Sequence, residues 1–423
     1  MKKWNSMRFE RLGNICTVRN GFAFKSENFV EEGVPIIRIS NINDNIVSSN
    51  KAVRIKYEPV FENFKIENGD ILIAMSGATT GKYGQYYSDE IAYQNQRVGC
   101  FIVNDKTKLH KNYLLQALKI LKPLIEKQAY GGGQPNISAK NIEELKIPLP
   151  SFTDQLHIAN ILSQAENLIA QRKESIRLLD EFMKSTFLEM FGDPVKNEKG
   201  FGIRKLSEFY INPKDGTKCG PFGSALKKEE YTESGIPVWT MYNILNDGHF
   251  VINGCLWISE KKHDELKNYN TINGDIIISR AGTVGKMCII NTNFTSSIIS
   301  SNLIRLRLGN KLMPIYFLSL MKYFQSKIIK LKQGNEDAYS HMSTGILDKI
   351  KFPYPPIELQ TQFAKIVEKT EALKTQYQQS LHELESLYGS LSQRAFKGEL
   401  RAKDGEMMMA AEDSAGYRSE NAN

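Results

Sequence analysis

Two glycine-rich turns, each carrying a lysine, are the stretches of this sequence best suited to contact a phosphate. Residues 76–84 read SGATTGKYG, and residues 281–287 read AGTVGKM. Each follows an apolar run, and such a turn can contact a phosphate through backbone N–H groups and the lysine ammonium. A tight turn that simply requires glycine conformations is the structural alternative. The two interpretations are compatible.

These turns do not match the loop of nucleotide-hydrolysing enzymes. That loop, G-x-x-x-x-G-K-[ST], has four residues between its glycines and a hydroxyl for Mg²⁺ after the lysine. Here three residues separate Gly77 from Gly81, and Tyr83 follows the lysine. The second turn is shorter still. We therefore expect no nucleotide hydrolysis at either turn.

The other residue types with catalytic potential form no familiar constellation. The six histidines give neither HExxH nor a Cys/His spacing for zinc. Residues 354–357 (YPPI) share only their prolines with the [DNS]-P-P-[YF] motif of amino-methyltransferases, and prolines at the start of a helix explain them better. We find neither a glycine-rich S-adenosylmethionine loop nor an acidic nuclease cluster. The sequence predicts no catalytic centre, no bound cofactor and no metal site.

Composition narrows the class of protein. With 423 residues the chain has room for two to three domains, and its hydrophobic (41%) and charged (24%) fractions are those of a soluble protein. A net charge of +8 suits a polyanionic partner. Five scattered cysteines indicate reduced thiols in the cytoplasm. No signal peptide or membrane span is expected.

A long helix is predicted over residues 154–191, which contain neither glycine nor proline. Apolar side chains recur at every seventh position from Leu162 to Met190. This repeat favours a helix that packs along a second helix, although a long core helix within one domain is the alternative. Residues 358–396 carry the same stripe, interrupted by Lys374.

The chain is a tandem duplication. Residues 136–162 align without a gap on residues 341–367, at an offset of 205. The strand-like runs at 33–42 and 69–74 recur at 235–244 and 274–279. Each copy thus contains predicted strands, a helix of its own (111–127 or 313–332) and a long helix.

The predicted fold class is α+β: two similar mixed α/β domains and two long antiparallel helices that form a coiled coil, as a pseudo-two-fold tandem repeat. The predicted segments are the first domain (1–151), the first long helix (152–192), the second domain (193–356), the second long helix (357–398) and a disordered tail (399–423). The residues predicted to pack the helix pair are Leu162, Ile169, Ile176, Leu179, Met183, Val367, Leu381, Leu384 and Tyr388.

The duplicated segments IPLPSFTDQLHIA (147–159) and FPYPPIELQTQFA (352–364) resemble the specificity subunits of type I restriction–modification systems. So do the repeated G-[VI]-P, the G-D-I-[LI]-I run followed by G-K, and AFKGEL (395–400). Departures are Ser151 at the second proline, and Asp154 and Leu359 where the family commonly has glutamate. The resemblance covers residues 4 to 401.

This resemblance implies a non-catalytic, cytoplasmic DNA-reading subunit of a host-defence system. Each target-recognition domain would read one half of a bipartite double-stranded DNA target, and the helix pair would set the spacer. Two modification (methyltransferase) subunits would dock on the helices, and restriction (motor-nuclease) subunits would join them. S-adenosylmethionine, ATP and Mg²⁺ would belong to those partners. The alternatives are a bivalent coiled-coil adaptor and a self-contained DNA methyltransferase.

Polar residues at loops beside the repeated strands are the predicted DNA contacts, with solvated surface or turn formation as the alternative for each. In the first domain they are Arg38, Asn41, Ser76, Thr79, Lys82, Asn95, Arg97 and Gln134. In the second they are Thr240, Tyr242, Asn243, Arg280, Thr283, Lys286, Asn302 and Tyr339. The bases read do not follow from the sequence, because a few side chains decide which base edges are contacted.

Overall fold

A computed structural model of the chain describes residues 8–43, 45–129, 135–222, 225–280, 284–331 and 343–402. These residues form two compact units: unit 1, within Met1–Lys173 and Ser380–Asn423, and unit 2, within Glu174–Gln379. Each unit contains one globular domain and a segment of each long helix. The division therefore falls inside the helices, whereas the predicted segments separated the domains from the helices.

The four helices that the sequence predicts are present: α1 (Lys111–Ala129), α3 (Phe152–Phe191), α5 (Pro314–Leu331) and α7 (Ile357–Phe396). The described residues also form three short helices that it did not predict: α2 (Ala139–Glu143), α4 (Glu260–Glu265) and α6 (Thr344–Asp348). The two long helices have 40 residues each. Gly192 (φ 72°) directly follows α3, and Gly398 (φ 74°) lies two residues after the end of α7. This conformation ends helices and favours glycine.

The strands of unit 1 are β1 (Phe9–Arg11), β2 (Cys16–Asn20), β3 (Phe29–Val30), β4 (Val34–Ile37), β5 (Ile42–Asn43), β6 (Asn45–Val47), β7 (Arg54–Ile55), β8 (Lys65–Ile66), β9 (Ile71–Ala74), β10 (Tyr83–Tyr86), β11 (Ala92–Gln94), β12 (Val98–Val103) and β13 (Lys146–Pro148). They form sheets of order β2-β12-β9-β10-β6-β5 and β3-β7-β4-β11-β8, and the pair β1-β13.

The strands of unit 2 are β14 (Ile203–Lys205), β15 (Thr217–Cys219), β16 (Tyr231–Thr232), β17 (Ile236–Trp239), β18 (Leu256–Ile258), β19 (Ile276–Ser279), β20 (Met287–Ile289), β21 (Ile298–Ile299), β22 (Leu303–Leu306) and β23 (Lys351–Pro353). Their sheets, β15-β22-β19-β20 and β16-β18-β17-β21 with the pair β14-β23, repeat the order found in unit 1. The predicted duplication of two mixed α/β domains is thus confirmed.

The central strand of each domain is buried on both faces. In β9, Ile71 and Ile73 face the core that includes α1, while Leu72 faces the core between the sheets. In β19, Ile276 likewise faces the core that includes α5, and Ile277 faces the core between the sheets. Continuous apolar runs are typical of strands covered on both sides.

Within each unit the segments of α3 and α7 run antiparallel. In unit 1, Tyr388 Oη donates to Glu166 Oε1 (2.7 Å), and Lys173 pairs with Glu385 (2.8 Å). In unit 2, Asp180 pairs with Lys374, so the residue that interrupts the apolar stripe is neutralised across the helix pair.

The predicted packing stripe is covered to different degrees. Leu162 and Val367 are buried, and Met183 and Tyr388 pack against the cores of their units. The remaining stripe residues are partly exposed: Ile169, Ile176, Leu179, Leu381 and Leu384.

A buried glutamine at the start of each long helix explains the repeated motif. The side chain of Gln155 accepts from the N–H of His110 (2.9 Å) and donates to the carbonyls of Lys108 (2.8 Å) and Pro150 (3.1 Å). Gln360 accepts from the N–H of Met313 (3.0 Å) and donates to the carbonyl of Pro355 (2.9 Å). Each glutamine thus fastens its long helix to the start of the domain's own helix.

The acidic position next to this glutamine also has a structural role. Ser151 Oγ accepts from the N–H of Asp154 (3.2 Å) and donates to its carboxylate (2.7 Å), which caps α3. The other carboxylate oxygen accepts from the N–H of Ala402 (3.0 Å), and Leu400 is buried in the core of unit 1. The predicted tail at 399–423 therefore begins too early, and residues 403–423 lie outside the described residues.

Candidate nucleic-acid interface

Each domain has a candidate site at the end of its central strand, β9 in unit 1 and β19 in unit 2. The N–H of Met75, directly after β9, donates to the carbonyl of Arg97 (2.9 Å). In unit 2 the N–H of Arg280, directly after β19, donates to the carbonyl of Asn302 (3.0 Å). The same backbone bond therefore places Met75 beside Arg97 in one domain and Arg280 beside Asn302 in the other. Arg97 and Asn302 are exposed.

A parallel strand pair brings further predicted residues to the first site. Strands β4 and β11 are parallel and end together, with the N–H of Asn95 donating to the carbonyl of Ile37 (3.1 Å). Arg38 follows Ile37, so it lies next to Asn95. In unit 2 the equivalent bond joins the N–H of Ser300 to the carbonyl of Trp239 (2.8 Å).

The glycine–lysine turns close hairpins. The N–H of Ala74 donates to the carbonyl of Lys82 (2.8 Å), and the N–H of Ser279 donates to that of Lys286 (2.8 Å). The structural interpretation therefore holds for the turn at 76–84, whereas residues 281–283 of the second turn lie outside the described residues. The lysine side chains remain available as partly exposed cations, and Lys286 Nζ donates to Asn246 Oδ1.

Three predicted contacts are turn-forming residues instead. Asn41 and Asn243 are buried, and their Oδ1 atoms accept from the N–H groups of Arg38 (3.1 Å) and Thr240 (2.7 Å). Thr240 is also buried, and its Oγ1 donates to Asn243 Oδ1 (3.2 Å). These side chains satisfy their own backbone, as asparagine and threonine do in turns, so the geometry does not support them as DNA contacts. Tyr242, on the same turn, is 76% exposed.

A polar cavity opens beside the end of β9. Its volume is about 410 Å³, and Ser76 and Arg97 line it together with Gln96 and Asn136. Ser76 and Asn136 are also joined by an antiparallel β-bridge. This cavity brings two of the predicted residues together with two that the prediction missed.

Buried polar atoms without a partner concentrate at these sites. Among the residues that the structure describes, such atoms include Arg38 Nε, Ser76 Oγ, Thr79 Oγ1 and Arg280 Nη1, and the others belong to three histidines and Arg305. Buried polar groups normally have a hydrogen-bond partner. Four predicted contact residues therefore retain hydrogen-bonding capacity that a ligand could use.

Three predicted contacts, Gln134, Thr283 and Tyr339, lie outside the described residues.

Aromatic residues beside the sites were not predicted. Phe22 and Phe222 are exposed. Phe22 directly follows Gly21, and Phe222 lies two residues after Gly220. A Cβ on Gly21 or Gly220 would lie 2.2 or 1.9 Å from the carbonyl oxygen of Asn95 or Ser300. Only glycine permits this close approach. The signal was present as G-F-A-F (21–24) and G-P-F-G (220–223), at matching places in the two copies.

A second cavity, of about 700 Å³, lies within unit 2 between α3, α5 and α7. His249 bonds Glu371 (2.9 Å) and Asp247 (3.0 Å) at its edge. The bond to Glu371 raises the pKa of His249 and lowers that of Glu371. In unit 1, Glu166, the equivalent of Glu371, pairs with Lys119 on α1, and burial lowers the pKa of Lys119 to about 8.

Two kinds of feature are absent from the part of the chain that the structure describes. It contains no group of three or more His, Cys, Asp or Glu side chains placed to hold a metal ion. None of its helices is long and apolar enough to cross a membrane.

Comparisons with known proteins agree with this arrangement. The family model described as "Type I restriction modification DNA specificity domain" matches residues 1–178 and 222–386. The specificity subunit of the type I restriction enzyme EcoBI from Escherichia coli is 23% identical over 419 residues, covering 93% of this chain and 86% of that protein. The MjaVIII specificity subunit from Methanocaldococcus jannaschii is 24% identical over 397 residues, covering 88% and 87%.

A solved structure shares the fold. The crystal structure of the type I restriction–modification S subunit from M. genitalium superposes with a TM-score of 0.59 at 19% identity, covering 94% of this chain and 98% of that one. The family match spans most of the chain and includes both domains. This protein therefore belongs to the family of type I restriction–modification DNA specificity domains.

Proposed function

We propose that this chain is the specificity subunit of a type I restriction–modification enzyme and binds double-stranded DNA in the cytoplasm. Each domain reads one half of a bipartite target, and the helix pair sets the unread spacer. The chain itself is not catalytic and binds no cofactor. S-adenosylmethionine, ATP and Mg²⁺ act in its methyltransferase and restriction partners.

One observation carries this proposal: the two domains hold different side chains on one shared backbone. Met75 and Arg280 occupy the same position, as do Arg97 and Asn302. Side chains at base edges specify sequence, while contacts to the phosphates position the protein. Two domains that share a backbone but differ in their exposed side chains can each recognise a different half-site.

The long helices offer two equivalent apolar surfaces for protein partners. Leu168 and Leu373 are exposed and occupy equivalent positions, 205 apart in the sequence. Phe182 and Leu387 are likewise exposed and 205 positions apart. The helix pair leaves these side chains uncovered, although large apolar residues at matching places mark interaction sites. We assign them to the docking of two methyltransferase subunits, because two equivalent surfaces suit two copies of one partner.

Selection from a library of random duplexes tests the proposal. The chain, together with its methyltransferase partner, should enrich two short conserved blocks separated by a fixed number of unspecified base pairs. Binding should weaken steeply with salt, because counterions are released from the phosphates. A protein-binding adaptor would enrich no sequence, and its partner binding would lack this salt dependence. Enrichment of one continuous block would contradict the two-domain proposal.

A further inference from the structure

The guanidinium of Arg280 lies over the ring of Phe222. The guanidinium carbon is 4.5 Å from the centroid of this ring, well within the range of a cation–π contact. Phe222 is 57% exposed. An exposed phenylalanine adds little to the core, but its ring face is available to hold the guanidinium of Arg280.

Arg280 extends from a rigid part of the fold. It directly follows β19, whose residues are buried, and its N–H is bonded to the carbonyl of Asn302 (3.0 Å). Its Nη1 is buried without a partner among the described residues. The backbone and the ring thus fix the guanidinium, while one of its donors lacks an acceptor.

A guanidinium held in this way can recognise a planar pair of acceptors. Arginine presents its donors in a flat fork, and the O6 and N7 atoms of guanine match that fork in the major groove. A phosphate offers acceptors as well, so the two sources must be distinguished.

The duplication favours the base over the phosphate. Phosphates are common to both half-sites, and a residue that contacts them should recur in both domains, as the pair Lys82 and Lys286 does. Arg280 does not recur, because its equivalent is Met75. A side chain that differs between the two domains is better suited to contact the bases, which differ between the two half-sites, than the phosphates, which do not.

We propose that Arg280 reads a guanine in the half-site of the second domain and that Phe222 is the positioning residue that holds its guanidinium for this contact. The inference rests on the proposed function and adds a specificity-determining pair to it. Phe222 does not itself need to contact DNA.

Replacement of single guanines by 7-deazaguanine, which lacks the N7 acceptor, tests the proposal on the selected target. At one guanine of the second half-site, the replacement should weaken binding of the wild-type complex by about 5- to 100-fold, the range for a bidentate base contact. Arg280→Lys and Arg280→Ala should bind the unmodified target more weakly and become indifferent to this replacement. Their salt slope should stay at the wild-type value.

Phe222→Leu should reduce the effect of 7-deazaguanine, and Phe222→Tyr should restore it, because tyrosine keeps the aromatic face. Phe294→Leu, at another exposed aromatic of unit 2, should leave the effect unchanged. Thermal melting identifies any variant that fails to fold, and the Arg280 variants then decide alone.

Two outcomes would overturn the proposal. Wild-type binding that is indifferent to every 7-deazaguanine would exclude the guanine contact. Arg280 variants that weaken all duplexes equally and lower the salt slope would make Arg280 a phosphate contact instead. A wild-type complex that selects no sequence at all would refute the proposed function itself, a result distinct from both.

Discussion

The backbone carbonyls of Arg97 and Asn302, 205 positions apart, make the same hydrogen bond in the two domains, to the N–H groups of Met75 (2.9 Å) and Arg280 (3.0 Å). Each bond joins a neutral residue to a cationic one, but the order is reversed. The two domains thus share this backbone bond, but the cationic side chain precedes β12 in the first domain and follows β19 in the second. This difference supports the proposal that the domains read different base pairs.

The lysines of the glycine-rich turns are expected to contact phosphates. Lys82→Ala and Lys286→Ala should each weaken binding to all duplexes alike and lower the salt slope by about one unit, as for the loss of one phosphate contact. Binding titrations over a range of salt concentrations measure both effects. Lys173→Ala, in the helix pair, should leave the slope unchanged. Unaltered slopes in both turn variants would remove these lysines from the interface.

The buried glutamines should be important for stability. Gln155→Ala leaves one N–H and two carbonyls without their partner. We expect a loss of about 3 kcal/mol or more in the free energy of unfolding, since each unsatisfied buried group costs about 1–3 kcal/mol. Gln360→Ala should cost a similar amount. Gln164→Ala, on the exposed face of α3, is the control and should cost less than about 0.5 kcal/mol. Denaturant titration measures all three, and equal effects would contradict the assigned role.

The contact between His249 and Glu371 should make the stability of unit 2 depend on pH. The pKa of His249 is raised, so its contribution is complete below its ordinary value of 6.5 and is lost as the pH rises through the raised pKa. The pKa of Glu371 is lowered, so its contribution is complete above 4.5 and is lost as the pH falls through the lowered pKa. The pair therefore stabilises most between these two values.

His249→Gln tests this dependence by thermal unfolding. The melting temperature of the variant should fall below that of the wild type most clearly at about pH 5.5, and the difference should shrink as the pH rises through the raised pKa of His249. His382→Gln, on the exposed face of α7, should show no such trend. A difference that does not vary with pH would mean that His249 acts only through packing.

The proposed spacer function predicts the effect of lengthening the helices. Phe187 and Phe191 are buried in the core of unit 2, so an insertion belongs elsewhere, between Lys173 and Glu174 and, because α7 pairs with α3 in each unit, also between Gln379 and Ser380. Four residues in each helix add about 6 Å and a net turn of about 40°. Two base pairs add about 7 Å and about 70°.

The preferred spacer should therefore lengthen by one or two base pairs while both half-sites stay the same, because DNA twist can absorb the remaining angle. Two residues in each helix would turn it by about 200° and should abolish binding. Methylation of targets with graded spacers measures the optimum. An optimum that stays at the wild-type spacer would show that the helices do not set it.

Sequence reasoning predicted the framework because periodicity and glycine positions record it directly. The apolar run of β9 and the heptad stripe of α3 depend only on neighbours in the sequence. Lys374 seemed to interrupt the stripe, and its role became clear only with Asp180 opposite it on the other helix. The sequence does not show which residues of α3 and α7 contact each other, so the burial of Lys374 and its pairing with Asp180 could not be predicted.

The contact residues were harder to predict for the same reason. Asn41 and Asn243 follow strands, as a surface contact would, yet their short side chains turn back onto the backbone. Phe222 was missed because an isolated aromatic in a glycine-rich turn gives no periodic signal. Its role follows from its position beneath Arg280.

An exchange of one domain tests the central claim, that each domain reads its own half of the target. Residues 193–356 of this chain are replaced by the matching segment of another specificity subunit, which keeps the β14-β23 pair intact. Sequencing of the methylated sites should then show a new half-site joined to the original half-site of the first domain. A change in both half-sites, or in neither, would contradict the account.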